Sequence, residues 1–319
     1  MAILKVLDLS VEFRSKEKVV SPINGVSFEI EAGEVLGVVG ETGSGKSLTA
    51  QSIMGLTPLI GGNVFGSVLF EGKDLLTLSD SEMQTVRGIE ISYIPQNPMT
   101  SLDPVFRVGD QIIEGIRKHK KISVKEAKKL ALDIMEQLRI PSPAQVYMQY
   151  PHQLSGGLKQ RIVIAIGLIT NPKILIADEP TTALDVTVQA QIMRLFKEQT
   201  IERGISLLLI THDLGVVAQV CDKVAVMYAG NVVEYGEIKI IFESPKHPYT
   251  QALIGCIPYM GMKKGSLSAI AGSVPNANKY PEGCRFHTRC PHVTEQCKAV
   301  APAMSKVSNG SLAACHLYE

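Results

Sequence analysis

A glycine-rich stretch, GETGSGKS, spans residues 40–47 with the spacing G-x-x-x-x-G-K-S. Glycines allow a backbone to curl so that successive N–H groups point at phosphate oxygens, and a following helix adds its positive end. Lys46 is expected to reach the β- and γ-phosphates, and the Ser47 hydroxyl to bind Mg²⁺. The stretch therefore predicts a site for the phosphates of a nucleotide. Its predicted residues are Gly40, Glu41, Thr42, Gly43, Ser44, Gly45, Lys46, Ser47 and Leu48.

Two adjacent carboxylates end an apolar run further along the chain. Asp178 and Glu179 close the segment KILIAD and its continuation EP, residues 173–180. Charge that leaves a buried strand needs a partner, because burying it alone is unfavourable. Asp178 is expected to hold Mg²⁺ through water, and Glu179 to orient or deprotonate an attacking water. With the glycine-rich loop, these carboxylates predict hydrolysis of the bound nucleotide.

The elements that must position these groups follow from the hydrophobic pattern. EVLGVVG, before the loop, is apolar on both faces and predicts a central strand, and a helix is predicted from Lys46 to Met54. A helix from Gly156 to about Thr170, the strand KILIADEP, a helix through residues 187–203 and the strand ISLLLITHD follow. This alternation predicts an α/β fold with a largely parallel sheet.

Other segments have clear patterns of their own. MAILKVLDLSVEF alternates apolar and polar residues as a half-buried strand does. Residues 108–148 are helical in pattern, and Ser123 with Glu126 predicts a capping box at the start of one helix. KVAVMYAGNVVEYG predicts a hairpin that turns at Gly230–Asn231. The pattern loosens into proline-punctuated segments after about residue 240.

Composition excludes several classes of function. The 319 residues carry a net charge of +1 and no tryptophan, which argues against nucleic acid as a partner. The longest apolar run is about eight residues, whereas a membrane-spanning helix needs about twenty. The N-terminus lacks the pattern of a signal peptide. We therefore expect a cytoplasmic protein whose membrane association depends on a partner.

A third motif, LSGGLKQR at residues 154–161, completes a recognisable order. The glycine-rich loop, this signature and ADEP together resemble the nucleotide-binding subunits of ABC transporters over residues 1–240. The resemblance implies a P-loop (RecA-like) α/β cassette with a helical subdomain, followed by a small irregular metal-binding extension. The implied domains are an ATP-binding core with an antiparallel β part (1–97 and 166–240), a helical subdomain with the signature (98–165) and a C-terminal extension (241–319).

The resemblance also implies roles for single residues. Gln96 in YIPQNP takes the place of the Q-loop residue that contacts Mg²⁺, and Asp185 in TTALD that of the D-loop. His212 in LLITHD corresponds to the switch histidine at the γ-phosphate, and Phe13 in VEF to the aromatic that stacks on adenine. Leu158 departs from the family, since many members have glutamine there. The implied catalytic residues are Glu179, His212, Lys46 and Gln96.

The signature implies a second subunit. Ser155, Gly156 and Gly157 present a hydroxyl and backbone N–H groups at a helix N-terminus, which suits a γ-phosphate. In the family, each ATP lies between the P-loop of one subunit and the signature of the other, in a head-to-tail dimer. Hydrolysis is therefore expected to loosen that dimer and to drive transport.

The C-terminal sequence narrows the resemblance. SPKHPYTQALIGCIP, GCRFHTRCP and ACHL are similar to the tail of ATPase subunits of bacterial dipeptide and oligopeptide importers. This implies a peripheral ATPase at the cytoplasmic face of the membrane. The implied partners are two transmembrane permease subunits, a second homologous ATPase or a second copy, and an extracytoplasmic peptide-binding protein. The alternatives are an importer ATPase for nickel or another small solute, and a soluble ABC switch protein.

Four cysteines cluster near the C-terminus with the spacing C-x5-C-x6-C-x17-C. They are Cys284, Cys290, Cys297 and Cys315. A reducing cytoplasm disfavours disulfides, so the cluster predicts a metal that folds the extension. Zinc sites usually contain a tight C-x2–4-C pair, which is absent, whereas a 4Fe–4S cluster takes four thiolates, and the resemblance to peptide importers also supports it, so a 4Fe–4S cluster is the predicted centre. A zinc site that recruits His287, His292 or His316 and a set of free thiols stay open as alternatives.

Overall fold

The computed structural model divides the chain into two compact units. It describes residues 2–16, 18–182, 184–257 and 270–319. The first unit contains residues 1–31, 35–77 and 210–319, and the second contains residues 32–34 and 78–209. The division predicted from the sequence follows motifs rather than compactness, and it stays a prediction.

Strands and helices are numbered along the chain. The strands are β1 Ala2–Arg14, β2 Val19–Glu31, β3 Val35–Val39, β4 Gly62–Phe70, β5 Lys73–Asp74, β6 Ile91–Ile94, β7 Ile174–Asp178, β8 Ser206–Thr211, β9 Lys223–Tyr228, β10 Asn231–Glu237, β11 Ser305–Lys306 and β12 Leu312–Ala313. The helices are α1 Lys46–Ile53, α2 Asp80–Val86, α3 Pro98–Ser101, α4 Val108–His119, α5 Val124–Gln137, α6 Pro143–Tyr147, α7 Gly156–Leu168, α8 Val186–Arg203, α9 Leu214–Val220, α10 Ile238–Glu243, α11 Pro248–Gly255 and α12 Glu295–Ala299. In the described part of the chain, none of these helices has both the length and the apolar character that crossing a bilayer requires.

The first unit begins with an antiparallel sheet in the order β2–β1–β4–β5. Leu4 and Val6 of β1 are fully buried, as are Leu9 and Val11, so the two pairs are out of step by one residue. The register shifts between Val6 and Leu9, where Asp8 has a φ of 48°. Such a bulge returns the later side chains to the buried face. The predicted N-terminal strand is confirmed, with this irregularity added.

A second sheet in this unit contains β3, β9 and β10. β3 runs parallel to β9, and β9 pairs with β10 in an antiparallel hairpin. The turn residues are Ala229 and Gly230, with φ of 46° and 84°, because Asn231 pairs with Tyr228. Positive φ at both positions is the mark of a type I′ turn. The hairpin is therefore confirmed, and the predicted turn was one residue too late.

The C-terminal extension adds to this sheet. β12 pairs with β10 in antiparallel register, Glu234 with Ala313 and Tyr235 with Leu312, and β11 pairs with β12. The Ala314 N–H also donates to the carbonyl of Val233 at 2.9 Å. The sheet order in this unit is thus β11–β12–β10–β9–β3. The prediction of an irregular extension is wrong in this respect, since its last residues continue a sheet.

An aromatic cluster gives the extension a packed core. The ring of Tyr228 lies 4.6 Å from that of Tyr249 and 5.1 Å from that of Phe286, and the latter two are 5.4 Å apart. All three rings are buried. His247 packs beside Phe286 with centroids 5.7 Å apart. Apolar packing against the rest of the first unit therefore stabilises a segment that the sequence suggested would depend on a metal.

The second unit combines parallel strands with helices. Its strand order is β8–β7–β6, and β6 runs parallel to β7 from Ile91–Ile174 to Ile94–Ala177. At α5, the Ser123 hydroxyl accepts from the Glu126 N–H at 3.2 Å, and the Glu126 carboxylate accepts from the Ser123 N–H at 2.9 Å. The predicted capping box is confirmed. The helix buries Ala127, Ala131, Ile134 and Met135 on one face.

Candidate nucleotide site

The glycine-rich loop follows a fully buried strand and leads into a helix. β3 precedes it and α1 begins at Lys46. A Cβ on Gly40 would lie 2.1 Å from the carbonyl oxygen of Met227, and Gly45 has a φ of 101°. Both positions therefore require glycine. The structure confirms the strand–loop–helix context that distinguishes a P-loop from a chance match.

Lys46 lies inside the curled loop. Its side chain is buried, with 4% of the residue exposed, and its ammonium donates to the carbonyls of Gly40 at 2.8 Å and Glu41 at 3.1 Å. Thr42 and Gly43 at the tip of the loop are exposed. A buried cation below an exposed loop is an arrangement that suits a phosphate chain.

The start of α1 fits an anion. The N-cap residue of this helix is Gly45, which has no side chain to cap it, and the first turn of the helix contains no acidic residue. Helix N-termini attract anions because their first N–H groups point outward and the helix dipole adds positive charge. Ser47 and Leu48 lie in this first turn. The loop and helix start therefore fit the phosphates and magnesium of a nucleotide.

The predicted acidic pair lies in the second unit, at the end of β7. Asp178 is buried, and its Oδ2 accepts from the Tyr93 hydroxyl at 2.9 Å. Glu179 is also buried, and its Oε2 accepts from Gln96 Nε2 at 3.0 Å and from the Thr182 hydroxyl at 2.9 Å. The structure thus brings together two of the predicted catalytic residues, Gln96 and Glu179.

The backbone at Glu179 is unusual. Its φ of 44° lies in the left-handed region, which non-glycine residues rarely occupy. Holding such a conformation costs roughly 1–3 kcal/mol, so neighbouring contacts must enforce it. The Glu179 carbonyl accepts from the Thr182 N–H and from the Thr182 hydroxyl, both at 3.3 Å, and these bonds supply such contacts. A strained, oriented carboxylate at the end of a buried strand is suited to general-base chemistry.

The signature residues begin a helix and face outward. Ser155 is the N-cap of α7, where its hydroxyl accepts from the Leu158 N–H at 3.4 Å. Ser155 and Gly156 are exposed, while a Cβ on Gly157 would lie 3.0 Å from Val188 Cγ1. Asp185 is likewise exposed and caps α8, its Oδ1 accepting from the Val188 N–H at 2.9 Å. Both predicted residues therefore sit at accessible helix starts.

Two further predicted residues lie in the first unit. His212 is exposed directly after β8, and Asp213 beside it caps α9 by accepting from the Gly215 N–H at 2.9 Å. Phe13 is half-buried on β1, with its ring 3.1 Å from where a Cβ on Gly62 would be. Glycine at 62 thus leaves room for the ring. Their roles at the γ-phosphate and the adenine stay predictions.

Several residues that contact the predicted site residues could not be predicted from the sequence. Nothing in the local sequence distinguishes Tyr93 or Thr182, whose hydroxyls meet the two carboxylates only after folding. Arg289 and Tyr249 also contact Glu41 in the glycine-rich loop, from 248 and 208 positions along the chain. No periodicity or motif spacing carries information over such separations.

The four clustered cysteines are free thiols, and they affect one another's pKa. The pKa of Cys284 is raised to about 11, mainly by burial and in smaller part by the nearby thiols of Cys297, Cys315 and Cys290. Burial likewise raises the pKa of Cys290 and of Cys315. Yet over residues 2–16, 18–182, 184–257 and 270–319 no three His, Cys, Asp or Glu side chains are placed to hold a metal ion. Thiols are suitable metal ligands, but in the described residues these thiols are not arranged as a metal site. The predicted metal-binding extension is therefore unsupported.

Comparison with known proteins places this geometry in a family. The family model described as ABC transporter matches residues 23–182. A second, described as oligopeptide/dipeptide transporter, C-terminal region, matches residues 233–297. The dipeptide transport ATP-binding protein DppD of Bacillus subtilis is 49% identical over 318 residues, covering 99% of this chain and 95% of the relative. The oligopeptide transport ATP-binding protein OppD of Salmonella typhimurium is 45% identical over 313 residues, covering 98% and 93%.

Solved structures with a similar fold support the same family. The dimeric ATP-binding cassette MJ0796, bound to ADP and Pi, has a TM-score of 0.66 and 26% identity, covering 74% of this chain and 98% of the cassette. CbiO1 from Clostridium perfringens, part of the transporter complex cbiONQ, has a TM-score of 0.66 and 30% identity, covering 76% and 91%. The chain belongs to the ABC transporter family and has the fold of its ATPase cassette. Within the family it groups with the ATP-binding proteins of dipeptide and oligopeptide transport.

Proposed function

We propose that this protein is the ATP-hydrolysing subunit of an importer for dipeptides or oligopeptides. The observation that carries the proposal is the match of residues 233–297 to the C-terminal region of oligopeptide and dipeptide transporters, beyond the general cassette. Relatives named for dipeptide and for oligopeptide transport share 44–49% identity with it. The cassette supplies the ATPase chemistry, and the extension distinguishes the peptide branch.

The proposed nucleotide site uses the residues whose geometry is described above. Lys46 and the N–H groups of the glycine-rich loop bind the phosphates, while Ser47, Gln96 and Asp178 hold Mg²⁺. Bound Mg²⁺ neutralises charge on the phosphate oxygens. Glu179 orients or deprotonates the attacking water, and His212 stabilises the γ-phosphate. The remaining proposed nucleotide-binding residues are Phe13, Gly40, Glu41, Thr42, Gly43, Ser44, Gly45, Leu48, Ser155, Gly156, Gly157 and Asp185.

The exposed signature supports a dimeric mechanism. Ser155 and Gly156 present a helix N-terminus to solvent, and we infer that it binds the γ-phosphate of ATP held by a second ATPase subunit. That subunit is a homologous protein or a second copy. Hydrolysis removes the γ-phosphate, which loosens the dimer and moves two permease subunits. An extracytoplasmic peptide-binding protein supplies the substrate, and this chain works at the cytoplasmic face of the membrane.

Co-purification and transport test this proposal. Expression with its permeases should yield a membrane complex whose ATP hydrolysis rises with peptide and its binding protein, and vesicles should accumulate labelled peptide. Glu179→Gln in the same complex is the matched control, since it should stop transport without changing assembly. Uptake of Ni²⁺ instead of peptide would favour a nickel importer. Full activity without permeases, together with binding to ribosomes, would favour a soluble switch protein.

We further propose that the four clustered cysteines bind a metal centre, with a 4Fe–4S cluster preferred to zinc. Four free thiols support it, because a 4Fe–4S cluster takes four thiolates and the other three thiols all raise the pKa of Cys284. Anaerobically purified protein should be brown and contain iron and sulfide, and Cys290→Ser should lose both. Cys256→Ser, outside the cluster, should keep them. A colourless protein with one zinc would support the zinc alternative, and a metal-free protein would leave only thiols.

A further inference from the structure

The C-terminal extension contacts the glycine-rich loop through a bidentate ion pair. Arg289 Nη1 donates to Glu41 Oε1 at 2.9 Å, and Nη2 donates to Oε2 at 3.2 Å. Only 5% of the Arg289 side chain and 29% of the Glu41 side chain are exposed. Glu41 is the second residue of the loop. A fork-to-fork pair with so little exposure fixes geometry as well as charge.

The remaining N–H groups of Arg289 also donate hydrogen bonds. Nε donates to the carbonyl of Ala271 at 2.8 Å, and Nη2 donates to that of Ile270 at 3.3 Å. Nη1 donates to the Tyr228 hydroxyl at 3.4 Å. With the two bonds to Glu41, these match the five N–H donors of a guanidinium. The side chain therefore acts as a rigid link, which the single point charge of a lysine cannot reproduce.

Glu41 passes this constraint to the catalytic lysine. Its N–H donates to the hydroxyl of Tyr249, on α11 of the extension, at 2.9 Å. Its carbonyl accepts from Lys46 Nζ at 3.1 Å and from the Ser44 N–H at 3.2 Å. One residue thus connects two extension side chains to the loop interior. Movement of Glu41 would displace the carbonyl to which Lys46 is bonded.

A second arginine supports the loop from the neighbouring turn. Arg285 donates to the carbonyl of Ala229 and stacks on Tyr280 with its guanidinium carbon 4.1 Å from the ring centroid. The next residue, Gly230, donates its N–H to the carbonyl of Ser44 at 2.9 Å. Arg285 and Arg289 therefore approach the loop from one short segment by separate routes.

We propose that Arg289 is a positioning residue of the nucleotide site, which it orders through Glu41 before nucleotide binds. A loop rich in glycine has many conformations, and ordering it in advance lowers the entropy lost on binding. Removing the link should therefore weaken nucleotide binding more than it slows hydrolysis. The inference rests on the proposed role of residues 40–47 as the nucleotide loop.

Equilibrium binding of MgATP and MgADP to the full-length protein tests it. Arg289→Ala should raise both dissociation constants by roughly tenfold, since a charge-assisted pair is lost. Glu41→Gln should have a similar effect from the loop side, and Arg289→Lys should rescue little. In the assembled transporter, KM for ATP should rise with a smaller change in kcat. The matched control is Arg194→Ala, which removes an exposed helical ion pair with Glu198 and should leave the dissociation constants unchanged.

A double-mutant cycle separates positioning from general damage. If Arg289 acts through Glu41, the double variant Glu41→Gln/Arg289→Ala should bind no more weakly than the weaker single variant. Additive effects, or wild-type dissociation constants in both single variants, would overturn the inference. A lower melting temperature with unchanged nucleotide affinity would also overturn it, because that marks a merely structural contact. If Arg289→Ala does not fold, Glu41→Gln still decides, since it changes no residue of the extension.

The test also separates this inference from the proposed site. Lys46→Ala should abolish MgATP binding if residues 40–47 form the nucleotide loop. Wild-type protein that binds no MgATP, or binds it equally well after Lys46→Ala, would contradict the proposed site itself. Wild-type binding that depends on Lys46 but not on Arg289 or Glu41 would contradict the inference alone.

Discussion

The glycine-rich loop and the signature both end at a helix N-terminus, but the chain supports them differently. Residues 40–47 surround a buried Lys46, and Arg289 and Tyr249 hold them through Glu41. The signature has a local support, the Ser155 cap of α7, and Ser155 and Gly156 face solvent. The first region is therefore held by distant residues of its own chain, whereas the second is exposed, as the proposed contact with a second subunit requires.

Among the variants that test this comparison, Glu179→Gln should have the largest effect. The amide keeps the size of the side chain but cannot accept a proton, so ATP hydrolysis should fall by roughly 10²- to 10⁴-fold. Because ATP would persist between the loop of one subunit and the signature of another, the variant should accumulate as an ATP-bound dimer. Phosphate release and size-exclusion chromatography with MgATP measure the two effects. Undiminished hydrolysis would remove Glu179 from its assigned role.

A charge in the signature comes next. Gly156 has open space around it, its nearest neighbour from an added Cβ being Leu184 Cδ2 at 3.8 Å, so Gly156→Asp should fold. The new carboxylate would oppose a γ-phosphate and should weaken ATP-dependent dimerisation by at least about a hundredfold. MgATP binding to the isolated subunit should not change. Gly115→Asp, also in open space on α4, is the control for both measurements. Equal loss in both variants would refute the outward role of the signature.

The dependence of stability on acid pH tests the helix that supports the glycine-rich loop. His247 caps α11, which carries Tyr249, and burial lowers the pKa of His247 from 6.5 to about 3. Below pH 6.5 the unfolded chain binds a proton that the folded chain excludes, so stability present above that pH is lost as pH falls toward 3. The loss between about pH 6.5 and 5 should be roughly 2 kcal/mol in the free energy of unfolding.

Urea unfolding at several pH values, with His247→Asn as the comparison, measures this contribution. Asparagine can cap a helix but does not titrate, so the variant should lose less stability on acidification. Burial raises the pKa of Glu234, which accepts from the His247 N–H, and its titration opposes that of His247. Both proteins contain Glu234, so the difference between them isolates the histidine. Parallel acid curves would exclude His247 as their cause.

The N-cap of the signature helix α7 can be tested against the N-cap of α5. Ser155→Ala and Ser123→Ala each remove the N-cap of a helix in the second unit and should each lower the free energy of unfolding by about 1 kcal/mol. Thermal unfolding measures that loss. Dimerisation with MgATP should weaken in Ser155→Ala and stay unchanged in Ser123→Ala. Similar dimerisation in both would mean that the Ser155 hydroxyl serves only α7.

Features encoded in short windows were predictable from the sequence. The P-loop context, the capping box at Ser123 and the buried strand before Asp178 all depend on neighbouring residues, and the structure confirms them. The bulge at Asp8 and the exact hairpin turn were missed, because backbone dihedral angles there depend on the pairing of strands. The bond between Gln96 and Glu179 was not expected, because 83 positions separate the two residues.

The C-terminal extension was even harder to predict, because its packing depends on residues that are far apart in the sequence. Its four cysteines drew the prediction toward a metal, because spaced thiols are conspicuous in a sequence. Its packing instead depends on aromatic residues such as Phe286, which look ordinary until they meet Tyr228 across 5.1 Å. Strand β12 gave no signal either, since two residues are too few to show alternation.

The pairing of Glu41 with Arg289 has a consequence for synthesis. The loop leaves the ribosome first, the arginine that holds it follows 248 residues later, and β12 follows later still. Domains of nascent chains fold as their residues emerge, and contacts between distant residues form last. A growing chain therefore carries a complete glycine-rich loop that is not yet fixed in place. If Arg289 positions the loop as proposed, the ribosome must pass residue 289 before this ATPase can acquire its final affinity for nucleotide.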